Sequence, residues 1–325
     1  MTFWKNIVTK LNLRHSVILM IVVKSEGSSP GKPGFKMAVS EDGDLWGSIG
    51  GGNMEYRLAE QCRRMLEKKE ATILIKKQDH HPDSKEGNSG MICSGIQWIA
   101  FYPLTPNKLT LVQQLVTIEE NRQDDVVTYI ETGILLSKPT SEYELPNPVV
   151  NGSSWRFTEQ PGLKSRLYIF GAGHVSLTLS KMASDTGFDV VVFDNRKGIN
   201  TFDANHYAVK KSVINYTEAA RFVEQGNHIY IVIMTFAHQS DRDVLKQMIP
   251  KRVRYLGMMG SELKVESIFE TLQNEGVTKE ELSKVDAPIG LPINSITPAE
   301  IAVSILAKII QIKNRNIVNS EQLTQ

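Results

Sequence analysis

Gly171-Ala172-Gly173-His174 follows the apolar stretch Leu167–Phe170 and runs into Val175–Leu179, so this 325-residue chain carries a strand, a glycine turn and a helix start in its middle. Two closely spaced glycines let the backbone approach phosphate oxygens, and the helix N-terminus behind them offers N–H groups and a partial positive charge. A turn of this kind binds a dinucleotide or another diphosphate. Ser176 holds the third glycine place of the dinucleotide pattern, so the pattern needs support from the strand that follows. That strand, Phe188–Phe193, ends in Asp194, 21 residues beyond Gly173 and at the spacing of a ribose-binding carboxylate. Arg196 suits a 2′-phosphate or another anion instead, which leaves NAD, NADP and a different anionic ligand all open. A plain α/β turn without ligand would show the same letters.

Three further clusters have glycine or helix-start chemistry. In Gly47-Ser48-Ile49-Gly50-Gly51-Gly52-Asn53-Met54-Glu55 consecutive N–H groups could form an anion nest, with Ser48 beside it, Asn53 as a helix N-cap and Glu55 as a first-turn carboxylate. Met234-Thr235-Phe236-Ala237-His238-Gln239-Ser240-Asp241 lies at the end of an apolar strand, where open α/β sheets bind ligands; Thr235, His238 and Asp241 are polar candidates there. Gly257-Met258-Met259-Gly260-Ser261-Glu262-Leu263-Lys264 is another strand-to-helix turn, in which Gly260, Ser261 and Lys264 could add phosphate donors. Each cluster could also be a strand-to-helix turn that binds nothing, with glycine serving packing or a polar residue capping the helix. Cys93 in Cys93-Ser94-Gly95 is a thiol at a small-residue turn, able to ligate a soft metal or accept sulfur if its pKa is depressed. Cys62 falls on the apolar face of a helix. His80-His81 with Asp83 sits in a polar loop and reads as solvated. No Ser-His-Asp grouping and no carboxylate pair marks a hydrolase.

The elements that must position these residues fall into two halves. The length suits about two domains. A net charge of +1 gives no reason to expect nucleic acid or an acidic membrane surface. The longest apolar run, Val17–Val23, is far short of the roughly 20 residues of a membrane span and reads as a buried strand of a cytoplasmic protein. Two cysteines make neither a disulfide framework nor an iron–sulfur site, so oxidation through iron–sulfur clusters of its own is not expected. Helical spacing over 2–14, the strand 17–23, a hairpin over 35–49, a helix after the triple glycine, a strand over 96–102, a helix over 108–119 and two strands within 125–136 predict an N-terminal α+β domain, 1–140. Pro, Ser and Asn from Lys138 to Gly162 suggest a linker, 141–164. From 165 to 325 strands and helices alternate: strands at 166–170, 188–193, near 207–209, 229–234 and 254–256, with helices at 175–185, 217–224, 239–248 and 261–276. This predicts an α/β, Rossmann-like, doubly wound parallel sheet. Thr297-Pro298-Ala299-Glu300 reads as a capping box opening a helix to about Lys313.

Taken together, the clusters resemble the XdhC/CoxI family, accessory proteins that mature molybdenum hydroxylases such as xanthine dehydrogenase. The resemblance spans nearly the whole chain, through Glu26–Pro30 with Gly34, Gly47–Glu55, Cys93-Ser94-Gly95, Ile169–Val175, Phe193–Arg196, Met234-Thr235 with His238 and Asp241, Gly257–Ser261 with Lys264, Gly290–Ile293 and Thr297–Ile305. It implies binding of molybdenum cofactor (molybdopterin), its protection during sulfuration, and delivery to an apo-hydroxylase in purine catabolism. The chain would then be a cofactor chaperone more than a catalyst, with a cysteine desulfurase and the hydroxylase as partners and a homodimer as its assembly. The alternative is an NAD(P)-dependent oxidoreductase. Where the family usually has cysteine after the triple glycine this chain has Asn53; where it often has histidine after Thr235 it has Phe236; and its Cys-Gly-Gly is Cys93-Ser94-Gly95. Cys93 is thereby the motif-associated thiol that remains to ligate the metal.

Overall fold

The apolar run 17–23 lies within β1 (Val17–Gly27), the central strand of a five-stranded antiparallel sheet. The structure, a computed structural model, describes residues 2–80, 95–139, 145 and 147–319. They divide into two compact units, one of residues up to Leu163 and the other Lys164–Asn316. In the first unit α1 (Phe3–Asn12) precedes β1, and β2 (Lys36–Ser40), β3 (Leu45–Gly47), α2 (Gly52–Glu67), β4 (Leu74–Asp79) and β5 (Gly95–Leu104) follow in the order β3-β2-β1-β5-β4. Alternation along β1 explains why it is apolar on both faces. Val17, Leu19, Ile21 and Val23 pack with Trp4, Ile7 and Leu11 of α1 and with Val112 and Leu115 of α3 (Leu109–Glu120). Ile18, Met20 and Val22 pack with Met54, Leu58, Cys62 and Met65 of α2.

A second antiparallel sheet in the order β7-β6-β9-β8 completes this unit, from β6 (Val126–Ile130), β7 (Gly133–Ser137), β8 (Val149–Asn151) and β9 (Ser154–Glu159). Its last two strands lie within the segment expected to be a linker, which is therefore corrected there. Trp155 and Phe157 of β9 are buried, and Trp155 Nε1 donates to Tyr102 Oη at 2.8 Å. Period-two alternation over a buried face outweighs the turn-rich composition. Strand β4 runs to Asp79, up to His80 of the segment read as a polar loop.

In the second unit β10 (Arg166–Phe170), α4 (His174–Asp185), β11 (Asp189–Asp194), α5 (Asn200–Asp203), β12 (Lys210–Val213), β13 (Gly226–Ile233), α6 (His238–Met248), β14 (Val253–Met258), α7 (Glu262–Asn274), α8 (Lys279–Leu282) and α9 (Pro298–Asn319) form an α/β fold. The sheet is parallel throughout, in the order β12-β11-β10-β13-β14. Tyr168, Phe170, Ile231 and Ile233 face α6 and α7 through Val244, Leu245, Val265 and Ile268. Leu167, Ile169, Val190 and Val232 face α4 and α9 through Leu179, Ala183, Ile305 and Ile309. Helices thus cover both sides, which accounts for the uninterrupted apolar runs of the central strands. The strand expected at 207–209 is β12 three residues on. The helix expected at 217–224 is a 3₁₀ segment, Tyr216–Phe222, broken at Glu218, whose φ of −120° is not helical. Helix α9 outlasts its expected end. Among the described residues no helix is long and apolar enough to cross a membrane.

Candidate functional site

Strand order fixes where a ligand can enter the second unit. From β10 the chain moves outward on one side to β11 and β12, then crosses to β13 and β14 on the other, so the connections leaving β10 and β13 diverge and open a crevice at their carboxyl ends. The two glycines after β10 do different work there. Gly171 has φ +110°, and a Cβ on it would stand 2.2 Å from the Met234 carbonyl oxygen. Glycine is needed at 171 because the β10 turn lies against the end of β13. Gly173 has φ −74° and no atom within 4 Å of where its Cβ would be. It faces open space and is the N-cap of α4, with no side chain capping that helix. Ala237 is the N-cap of α6, again with no capping side chain. His174 and His238 open these two helices and are exposed. Two helix N-termini without side-chain caps therefore flank the crevice, each with first-turn N–H groups and a partial positive charge. Ser176, in the third glycine place, lies in the first turn of α4 and is fully buried.

Asp194 is where sequence spacing suggests a ribose contact, and the structure gives it another task. It is only 1% exposed. Its carboxylate accepts from Ala172 N at 2.9 Å and from Arg196 N at 2.9 Å, and from Arg196 Nε and Nη2 at 3.0 Å each. Burial opposes the charge, but the Arg196 side chain, the Arg196 N–H and the Ala172 N–H outweigh it and hold the carboxyl below its ordinary value. Asp194 thus ties the β10 turn to the end of β11. Arg196, its side chain 40% exposed, has its own pKa raised by that carboxylate and lies over the ring of Phe236, 4.9 Å from the centroid.

The Thr235 and Gly260 clusters join in one network behind the crevice. Asp241 is fully buried; its Oδ1 accepts from Thr235 N at 2.8 Å and Thr235 Oγ1 at 2.7 Å, and its Oδ2 accepts from Lys264 Nζ. Lys264 Nζ also donates to Met259 O at 3.2 Å. Ser261 caps α7, its hydroxyl accepting from Lys264 N, and a Cβ on Gly260 would stand 2.9 Å from Lys264 Cδ. These residues brace β13, β14, α6 and α7 against one another. The Thr235 N–H and hydroxyl and the Lys264 ammonium are already engaged inside the protein.

In the first unit Gly50, Gly51 and Gly52 all have positive φ, +128°, +76° and +69°. The nest they form is filled from within. Glu55 Oε2 accepts from Ile49 N at 2.9 Å, Gly51 N at 3.0 Å and Ser48 Oγ at 2.7 Å. Gly51, not Asn53, is the N-cap of α2, and Asn53 is an exposed residue of its first turn. The residue that sequence reading missed is Gln97. Fully buried, it accepts at Oε1 from Ser29 Oγ and Gly31 N and donates from Nε2 to Ile49 O, pinning the Ser28–Gly31 loop to the glycine loop. A lone glutamine in an apolar strand was the available signal. Cys62 is in the core, and burial pushes its thiol up to about 12. Cys93, His81 and Asp83 lie outside the described residues. Among the described residues no group of His, Cys, Asp and Glu is arranged to hold a metal.

Fold and crevice together define a Rossmann-type α/β unit following an antiparallel α+β unit. A family model described as the XdhC Rossmann domain matches residues 167–309, one described as the XdhC and CoxI family matches residues 11–76, and the chain belongs to that family. It is 24% identical over 296 residues to the uncharacterized protein YqeB of Escherichia coli (strain K12), covering 90% of this chain and 43% of that protein, so it spans less than half the length of that relative. It is 24% identical over 320 residues to a Bacillus subtilis (strain 168) protein named as a probable xanthine dehydrogenase subunit, covering 93% and 94% of the two chains. A crystal structure from Bacillus halodurans, described as a xanthine dehydrogenase, superposes with a TM-score of 0.68 at 23% identity over 97% of this chain and 96% of the other, a likeness of fold.

Proposed function

We propose that the chain binds molybdenum cofactor at the crevice between β10 and β13, and that it is an accessory protein in the maturation of a xanthine dehydrogenase or related molybdenum hydroxylase. The observation that carries this reading is the pair of helix starts at Gly173 and Ala237, neither capped by a side chain, at neighbouring strand ends. A phosphate needs several convergent N–H donors, and this is where the second unit offers them. Gly173 leaves room for a phosphate to close on the backbone, and the exposed Arg196 adds a cation beside it. The pterin and phosphate end of the cargo would be held at this crevice. A thiolate for the metal end would not come from Cys62, whose burial keeps it protonated at neutral pH; we assign that role to Cys93.

Membership of the XdhC and CoxI family and the name of the Bacillus subtilis relative support the link to xanthine dehydrogenase. On this reading the residues contribute binding, orientation and shielding. His174 and His238, each opening a helix at the crevice, would meet the cargo's polar edge. A cysteine desulfurase as sulfur source, a homodimeric assembly, a cytoplasmic setting and a place in purine catabolism complete the proposal.

A second reading is kept alive by Arg196. An exposed guanidinium at the end of the second strand suits the 2′-phosphate of NADP, whereas the engaged oxygens of Asp194 disfavour NAD. Titration of the purified protein with molybdopterin, NAD and NADP separates the two. Tightest binding of molybdopterin is expected. Tight NADP binding with substrate-dependent change in nicotinamide absorbance would establish the oxidoreductase instead. In cells, deletion of the gene should leave hydroxylase protein without activity, and undiminished activity would rule out the maturation role.

A further inference from the structure

We infer that Phe236 is the stacking platform for the planar heterocycle of the bound ligand, an inference that rests on the crevice being the binding site. Phe236 is 83% exposed, in the turn between β13 and the uncapped start of α6. A single exposed apolar side chain needs no explanation by itself. This one is held. The guanidinium over its ring is fixed by a two-pronged bond, Nε to Oδ1 and Nη2 to Oδ2 of the buried Asp194, so the cation lying on the ring has a set orientation.

Strand order makes the placement specific. Arg196 leaves the end of β11 and Phe236 the end of β13, while β10 and its glycine turn lie between them. The contact therefore reaches across the turn that ends at Gly173. A ligand whose phosphate meets the N-terminus of α4 or α6 has, next to that phosphate, a phenyl ring and a guanidinium plane on which a flat ring can lie. Stacking of this kind accepts any flat π-system, so the class of ligand is a phosphorylated planar heterocycle, a pterin or a nucleotide.

The test uses the full chain with pterin monophosphate, ADP and inorganic pyrophosphate as probes, in wild type, Phe236→Ala and Phe236→Trp. Because the side chain is exposed, neither substitution disturbs the core. Phe236→Ala should weaken the ring-bearing ligand roughly ten-fold or more and leave pyrophosphate unchanged. Phe236→Trp should retain affinity, and its indole emission should be quenched as the ring binds. If alanine weakens the pterin, platform and cofactor reading both stand. If it weakens ADP alone, the platform stands and the cofactor reading falls. Wild-type affinity for both rings in Phe236→Ala, or an equal loss for pyrophosphate, overturns the platform. Failure of the wild type to bind any probe overturns both.

Discussion

Gly171 and Gly173 belong to one motif, yet alanine at the two positions should have opposite consequences. At Gly171 an alanine would take φ +110°, a region open essentially to glycine, at a cost of about 1–3 kcal/mol. Its Cβ would also stand 2.2 Å from the Met234 carbonyl, with the backbone of Thr235 close behind, and an overpacked site of this kind costs about 1–3 kcal/mol more. We expect Gly171→Ala to lose roughly 3 kcal/mol or more of unfolding free energy, combining the two penalties. At Gly173 φ is −74° and nothing lies within 4 Å, so Gly173→Ala should cost no more than about 1 kcal/mol, the preference for glycine over alanine at an N-cap. Its methyl group would nevertheless stand where a phosphate must approach α4. Urea unfolding followed by far-ultraviolet circular dichroism measures the first quantity, and calorimetric titration with pterin monophosphate the second. A stable Gly171→Ala variant would refute the packing argument. Wild-type affinity in Gly173→Ala would refute the assignment of the phosphate to this helix start.

Replacing Glu55 with alanine removes the carboxylate that fills the Gly50–Gly52 nest; thermal unfolding should occur at lower temperature, and added phosphate should raise it more than in the wild type, unless the nest serves packing alone. Asp241→Ala leaves Lys264 without its buried partner and the Thr235 N–H without an acceptor, a loss of about 3 kcal/mol in denaturant titration that Lys264→Met should partly restore; additive losses would contradict the pairing. Because the Asp194 carboxyl titrates below its ordinary range when folded, its contribution is complete above the unfolded value and fades as pH falls through the folded one. The gap in urea midpoint between wild type and Asp194→Asn should accordingly close in acid, and a gap constant with pH would exclude the ion pair as its source. In Cys93→Ser no thiol should react with a disulfide reagent until denaturant is added, because Cys62 is buried and protonated; reaction of the native variant would count against that.

Alternation of apolar runs with helical periods made the parallel sheet legible, because strands such as Ile229–Ile233 are buried on both faces and say so in their composition. The β8–β9 hairpin was legible too, in Asn151-Gly152 between Val149-Val150 and Trp155–Phe157, but the surrounding Pro and Ser pulled the reading toward a linker. The site was harder. Spacing can bring Asp194 to the end of β11 without revealing whether its oxygens face a ligand or turn inward to Ala172 and Arg196. That depends on Arg196 folding back over two residues, which no period encodes. Glu55 poses the same difficulty: three glycines and a helix start look like an anion nest whether the anion comes from solution or from the next turn of the chain. Gly171 and Gly173 are identical letters, and the proximity of β13 alone tells them apart.

The position of β10 has a practical consequence for finding the ligand. It is hydrogen-bonded along its length to β11 on one side and β13 on the other, in matched register from Arg166 to Phe170. Amides so placed exchange with solvent chiefly when the whole unit opens. A molecule gripping the turn at the end of this strand loses its site in that same opening, so its binding energy adds to the stability of the entire unit. At a hundred-fold excess over its Kd that is about 2.7 kcal/mol, or an upward shift in melting temperature of roughly 5–10 °C. A melting-temperature screen of candidate metabolites thus requires no catalytic readout.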